Sequence, residues 1–235
     1  MNEQQQPSQA MRAITISRQY GSGGGEVAAR LARRLGWQLI DHEIVAQVAH
    51  KLGITEEEAV VYDEHVEGFI ERALNALQIA MPVLPPSPTS PAQYEQVYAE
   101  AVKQVVETAA NAGHVVIVGR TGQVFLAKWR DVLHVRIIAP LRQRISYVAR
   151  REGLDEPAAQ ARVQFKDRDR ARYIQTQHGR DVNDPMLYDL VINTGVIDLD
   201  SAVDLALLAL ERKARRLSVS TGELGPVAGL ERYAE

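Results

Sequence analysis

Five short apolar runs are spaced along the chain: Ala13-Ile14-Thr15-Ile16, Trp37-Gln38-Leu39-Ile40, Val115-Val116-Ile117-Val118, His134-Val135-Arg136-Ile137-Ile138 and Asp189-Leu190-Val191-Ile192. Several are almost continuously apolar, which is how strands buried on both faces read. Between them, apolar residues recur every three or four positions, the spacing of an amphipathic helix. Val27, Leu31 and Leu35, with Ala28 and Ala32, form one such stripe, and Gly36 ends it. Val97, Ala101, Val102, Val105, Val106 and Ala109 form another before Gly113. Leu205, Leu208, Ala209 and Arg212 belong to a last helix, capped near Asp200-Ser201. Strand alternating with helix predicts an α/β fold of three layers, a parallel sheet with helices on both sides.

Two stretches break this rhythm. Met81 to Pro91 holds five prolines, which exclude a helix and predict an exposed connection. Before it, Thr55 to about Ile79 reads as an acidic helical stretch. Together they suggest an insertion over about 53–112 and a second, basic one over about 140–180. The main domain then runs over 12–217, between a disordered tail at 1–11 and a flexible tail at 218–235. A hydrophobic fraction of 46% over 235 residues is ample for one such core.

Composition narrows the chemistry. With no cysteine, a disulfide scaffold, a Cys-ligated metal and a thiol nucleophile are excluded. The polar opening Met1–Ala10 and the lack of a long apolar run predict a cytoplasmic protein without a membrane partner. The net charge of −3 hides two opposed blocks. Residues 53–100 carry nine Asp and Glu against Arg72 alone, and 142–180 carry ten Lys and Arg against five acids. Such a basic block marks either a phosphate-rich partner or a solvated helix face.

The sharpest feature is Ile14-Thr15-Ile16-Ser17-Arg18-Gln19-Tyr20-Gly21-Ser22-Gly23-Gly24-Gly25-Glu26-Val27. A buried strand ends, a glycine-rich turn follows and an amphipathic helix begins. In that context backbone N–H groups and a helix N-terminus cradle phosphate; the alternative is a tight turn without a ligand. The P-loop pattern places its first glycine on Arg18, its second on Gly23, its lysine on Gly24 and its hydroxyl residue on Gly25. No lysine occurs from residue 1 to 50, and Glu26 adds a negative charge where phosphate would dock. Arg18 is the candidate replacement cation.

These residues resemble the cytidylate kinase-like branch of the nucleoside monophosphate kinases. The resemblance rests on Ile16 to Gly24, Leu35-Gly36-Trp37-Gln38-Leu39-Ile40-Asp41, Val118-Gly119-Arg120-Thr121-Gly122-Gln123-Val124-Phe125, Lys166 to Tyr173 and Tyr188 to Thr194, in the family order. It implies a P-loop kinase-like fold with a five-stranded parallel sheet in the order 2-3-1-4-5 and helical insertions. It further implies ATP with Mg2+ as phosphoryl donor and CMP, dCMP or a similar monophosphate as acceptor. The lysine-less glycine loop is itself what this branch looks like.

Residue by residue, the resemblance assigns Gly21, Ser22, Gly23, Gly24, Gly25 and Glu26 to ATP. Arg18, Arg150 and Arg151 become the catalytic cations, the last two as lid arginines; an exposed helix end explains them equally well. Asp41, Arg120, Arg168, Asp169 and Arg172 fall on the acceptor-binding pattern. For Asp41 a helix cap is an equal explanation, and for the Asp167–Arg172 stretch a salt-bridged surface helix is the alternative. Two positions depart from the family: Phe165 stands where an arginine is expected, and Val118 where an acid precedes Gly-Arg. His42, His65 and His178 show no metal-ligand spacing. The competing function is a catalytically weak nucleotide-binding regulatory protein, motivated by the missing lysine, hydroxyl and carboxylate. Nucleic-acid binding is disfavoured, because aromatic residues are few and the arginines alternate with Asp.

Overall fold

In the computed structural model, which describes residues 10–41, 91–220 and 223, all five apolar runs become strands. They are β1 (Ala13–Arg18), β2 (Gln38–Ile40), β3 (Val115–Val118), β4 (Val132–Ile138) and β5 (Leu190–Asn193). The sheet runs β2-β3-β1-β4-β5, every neighbour parallel, the order implied by the resemblance. β1 is central, with Ile16 level with Val118 on one side and Val135 on the other. The C-terminal ends of β1, β3 and β4 therefore meet along one edge, where ligands bind in open α/β sheets.

The helices are α1 (Gly24–Leu35), α2 (Pro91–Ala112), α3 (Gly122–Phe125), α4 (Leu141–Glu152), α5 (Glu156–His178) and α6 (Leu199–Arg215). One sheet face presents Ile14, Ile16, Val116, Val118, Leu133, Val135 and Ile137, which pack against α1 and α6. The other face, covered by α2 and α3, is not purely apolar. Its strand residues include buried Thr15, Ser17, His134 and Arg136. Thr15 Oγ1 meets His134 Nδ1 at 2.7 Å, and His134 Nε2 faces the Leu126 carbonyl at 3.2 Å. A polar ladder thus climbs this face toward the C-terminal edge.

Several boundaries differ from expectation. Met11, placed in the tail by sequence, is buried at 1% exposure among the core residues. α6 is capped by Asp198, which accepts from Ser201 N and Ser201 Oγ, each at 2.8 Å, rather than by Asp200-Ser201. The cap sets the helix phase so that Ala202, Val203, Ala206 and Leu210 face inward, leaving Leu205 and Leu208 partly exposed. Within the 53–112 segment, the described part is α2, whose Ala101, Val102, Val105, Val106 and Ala109 are buried as the stripe predicts. The acidic stretch, the proline run up to residue 90, His42 and His65 lie outside the described residues. No helix among the described residues is long and apolar enough to cross a membrane.

Candidate functional site

The glycine loop lies on the sheet's C-terminal edge. Gly21 and Gly23 take left-handed φ of 79° and 77°, and α1 starts at Gly24 with no side-chain cap. Its first-turn N–H groups are the fixed partial charges that favour an anion. Ser22 Oγ is spent on the carbonyls of Gln19 (2.9 Å) and Ile137 (3.2 Å), so it shapes the loop. Beside the loop opens a cleft of about 490 Å³ bounded by Gly21, Ser22, Gly23, Ser146, Tyr147, Arg150, Thr194 and Leu199.

Arg18 and the loop glycines form one steric unit. A Cβ on Gly24 would lie 2.6 Å from Arg18 Cβ, and one on Gly119 would collide with an Arg18 terminal nitrogen. The stem of Arg18 therefore fills the space beside position 24, where a P-loop lysine would have to start. Its guanidinium crosses to the end of β3. Burial first, then the charges of Arg170 and Arg120, lower the Arg18 pKa to about 9; Asp41, just after β2, opposes this. Among the described residues, no carboxylate or carbonyl receives a hydrogen bond from it. A desolvated cation with no hydrogen-bonded acceptor among the described residues is a costly object, and the cost points to a ligand.

The β3–α3 turn faces that guanidinium. Gly119, Arg120 and Thr121 adopt φ of 70°, 51° and 56° in succession. Two consecutive left-handed residues other than glycine store strain of order 1–3 kcal/mol each, a cost found mainly at functional sites. The turn keeps Arg120 at the sheet edge, near enough to Arg18 for the two charges to repel.

α4 and α5 form a hairpin over the loop. Asp167 accepts from Tyr20 N at 2.8 Å and from Arg144 Nη1 at 2.6 Å, with Arg170 Nη1 at 3.8 Å. Arg144, 7% exposed, also donates to the carbonyls of Ala139 (2.9 Å) and Tyr20 (3.0 Å). Arg170 lies over the Tyr20 ring at 5.4 Å and donates to the Arg18 carbonyl at 3.4 Å. Burial lowers its pKa, against the pull of Asp167. By contrast, Arg168, Asp169 and Arg172 are exposed. Arg168 bonds the Gln164 carbonyl of its own helix, and Arg172 pairs with Asp169 at 3.7 Å. The structure does not bring these three to the glycine loop; Phe165 is likewise 58% exposed. The residues turned inward are Asp167 and Arg170. Helical phase was the available signal, since buried Ala159, Val163 and Ile174 mark the inner stripe on which 167 and 170 fall.

The two lid arginines part company. Arg150 lines the cleft. Arg151 reaches Glu26 Oε1 at 3.5 Å and Tyr147 Oη at 3.4 Å. The Tyr147 hydroxyl in turn donates to Glu26, whose second oxygen is buried without a partner. The negative charge flagged at the loop is thus held by α4. Burial and the Glu26 contact raise the Tyr147 pKa.

Comparison with known proteins places this geometry in a family. The profile of the Cytidylate kinase-like family matches residues 13–196. The cytidylate kinase of Archaeoglobus fulgidus is 31% identical over 202 residues, covering 85% of this chain and 95% of that protein. A 115-residue match at 35% identity, 47% of this chain, joins it to the uronate isomerase of Corynebacterium glutamicum; the chain spans only 21% of that relative's length. Among solved structures, an uncharacterized protein from Eubacterium ventriosum shares the fold, with a TM-score of 0.63 at 22% identity, covering 85% of this chain and 98% of that one. The glycine loop, the Gly119–Thr121 turn and the α4–α5 hairpin all lie within the matched residues, and the chain belongs to the cytidylate kinase-like family.

Proposed function

We propose that this protein is a nucleotide kinase that moves the γ-phosphoryl group of ATP to CMP, dCMP or a similar monophosphate. The observation that carries this reading is the buried Arg18 guanidinium between the glycine loop and the Gly119–Thr121 turn, which makes no hydrogen bond to a carboxylate or carbonyl among the described residues. Phosphoryl transfer asks little covalent chemistry of the protein; it asks for alignment and positive charge around the transferred group. The loop N–H groups hold the donor phosphates, and Arg150 contacts them from the cleft wall. Arg18 replaces the missing lysine from the opposite side of the loop. Arg120 and Arg170 draw the acceptor phosphate in, with Asp41 at the same edge.

Mg2+ in such reactions is held chiefly by the substrate phosphates and one or two protein oxygens. Among the described residues no cluster of three or more acidic or histidine side chains could hold a metal alone. Gly25 has no hydroxyl, but Glu26 Oε2 has no partner to lose, so the residues fit a metal that arrives with ATP. When bound, the ion neutralises phosphate charge during transfer.

The test is a coupled ATP-to-ADP assay over the common nucleoside monophosphates. The expected result is turnover that is fastest with CMP or dCMP. ATP binding by calorimetry without turnover on any acceptor would favour the regulatory nucleotide-binding reading, which the absent loop lysine motivates.

A further inference from the structure

Three guanidinium groups gather on the last two residues of β1, and one of them plays no part in the site as described. Arg136, in β4, is 5% exposed. It donates to Ser17 Oγ at 2.9 Å, Tyr188 Oη at 3.3 Å and Asn183 Oδ1 at 2.9 Å, and lies over the Tyr188 ring at 5.4 Å. All these partners are neutral, and among the described residues no carboxylate pairs with it. Arg170 reaches the next position of the same strand, the Arg18 carbonyl, at 3.4 Å.

A buried ion costs several kcal/mol, and neutral hydrogen bonds satisfy its donors without cancelling its charge. A tie between β4 and the segment before β5 could be made by a neutral amide at lower cost. The charge itself therefore needs a purpose. The nearest place for one is the sheet edge at the end of β1, where the Arg18 and Arg170 guanidinium groups also lie. Arg136 is among the charges that make the protonated form of Arg170 harder to hold, so the two share one field.

Resting on the kinase reading, we infer that Arg136 is a positioning residue that sets the acceptor site for a dianionic phosphomonoester. It does not touch the acceptor. Its fixed charge, anchored to Ser17 one residue before the Arg18 carbonyl that Arg170 holds, deepens the positive potential at the end of β1. A second phosphate ionisation then adds more binding energy than it would over Arg170 alone. The second ionisation of a phosphomonoester has its midpoint near pH 6, so the preference is expressed at physiological pH.

The experiment measures binding of CMP and of inorganic phosphate to the full chain by calorimetry at about pH 5.5 and about pH 7.5. Wild-type protein is expected to bind CMP more tightly at the higher pH. Arg136→Met should weaken binding about tenfold at the higher pH and flatten the pH dependence. In Arg136→Met the acceptor KM should rise more than kcat falls, and Arg136→Lys, which keeps the charge, should recover most of the loss. Asn183→Ala loosens the structural tie but keeps the charge, so it should lower the melting temperature and leave phosphate binding intact. This variant, with the lysine, decides the matter if Arg136→Met does not fold. Unchanged binding in Arg136→Met, failure of the lysine to rescue, or an equal loss in Asn183→Ala would overturn the inference. If binding follows residue 136 but no monophosphate is phosphorylated, the kinase reading falls and this one stands. If turnover is seen while binding ignores residue 136, the reverse holds.

Discussion

Replacing Arg18 with methionine is expected to raise the stability of the ligand-free protein and to remove most of its stabilisation by phosphate. The guanidinium is held charged although its pKa has been lowered to about 9, with burial the first cause and Arg170 and Arg120 the next. At about 1.4 kcal/mol per pH unit, that cost is on the order of 5 kcal/mol at neutral pH. Relaxation and water at the partly exposed side chain reduce it, and replacing a buried charge by an apolar side chain typically gains about 1–4 kcal/mol. A net gain of about 2 kcal/mol corresponds to roughly 4–8 °C in melting temperature for a chain of this size. The sign with pH follows from the lowered pKa. The penalty is fully present below about pH 9 and is relieved as the native guanidinium loses its proton above it. The stability gap between Arg18→Met and wild type should therefore narrow above about pH 9. Thermal unfolding with and without phosphate or ATP provides the assay. Loss of one charge-assisted contact should weaken anion binding by roughly 10- to 100-fold. A variant less stable than wild type, with its phosphate response intact, would refute the reasoning.

Three further substitutions probe the rest of the site. Gly24→Lys should not restore a working P-loop, because its Cβ would lie 2.6 Å from that of Arg18; we expect a loss of about 1–3 kcal/mol in urea unfolding, relieved by a second change, Arg18→Gly. Asp167→Asn leaves Arg144, 7% exposed, without its counter-charge; a loss of about 3 kcal/mol should appear in the same measurement. Arg150→Ala should lower kcat by about 10²-fold in the coupled assay, whereas Arg151→Ala should cost less, because Arg150 lines the cleft and Arg151 does not.

The sheet is readable because several strands are near-continuous apolar runs, and its order follows from the resemblance. What escaped was direction. The charge alternation of 167–172 drew attention to Arg168, Asp169 and Arg172, yet the buried stripe through Ala159, Val163 and Ile174 turns those three to solvent and brings in Asp167 and Arg170. The same slip of phase occurred in α6, where Asp198 rather than Asp200 sets the first turn. Arg136 reads along the chain as a charge inside an apolar strand, but only the fold shows that its partners among the described residues are all neutral. The Arg18–Gly24 exchange is a three-dimensional fact; along the chain it reads only as a missing lysine.

The most direct test of the account is a crystal structure with a non-hydrolysable ATP analogue and CMP. It should show the Arg18 guanidinium within about 2.7–3.2 Å of a phosphate oxygen, having crossed the loop past Gly24. A guanidinium still without a phosphate contact, with the donor phosphates held by other cations alone, would contradict the central claim that Arg18 does the work of the absent lysine.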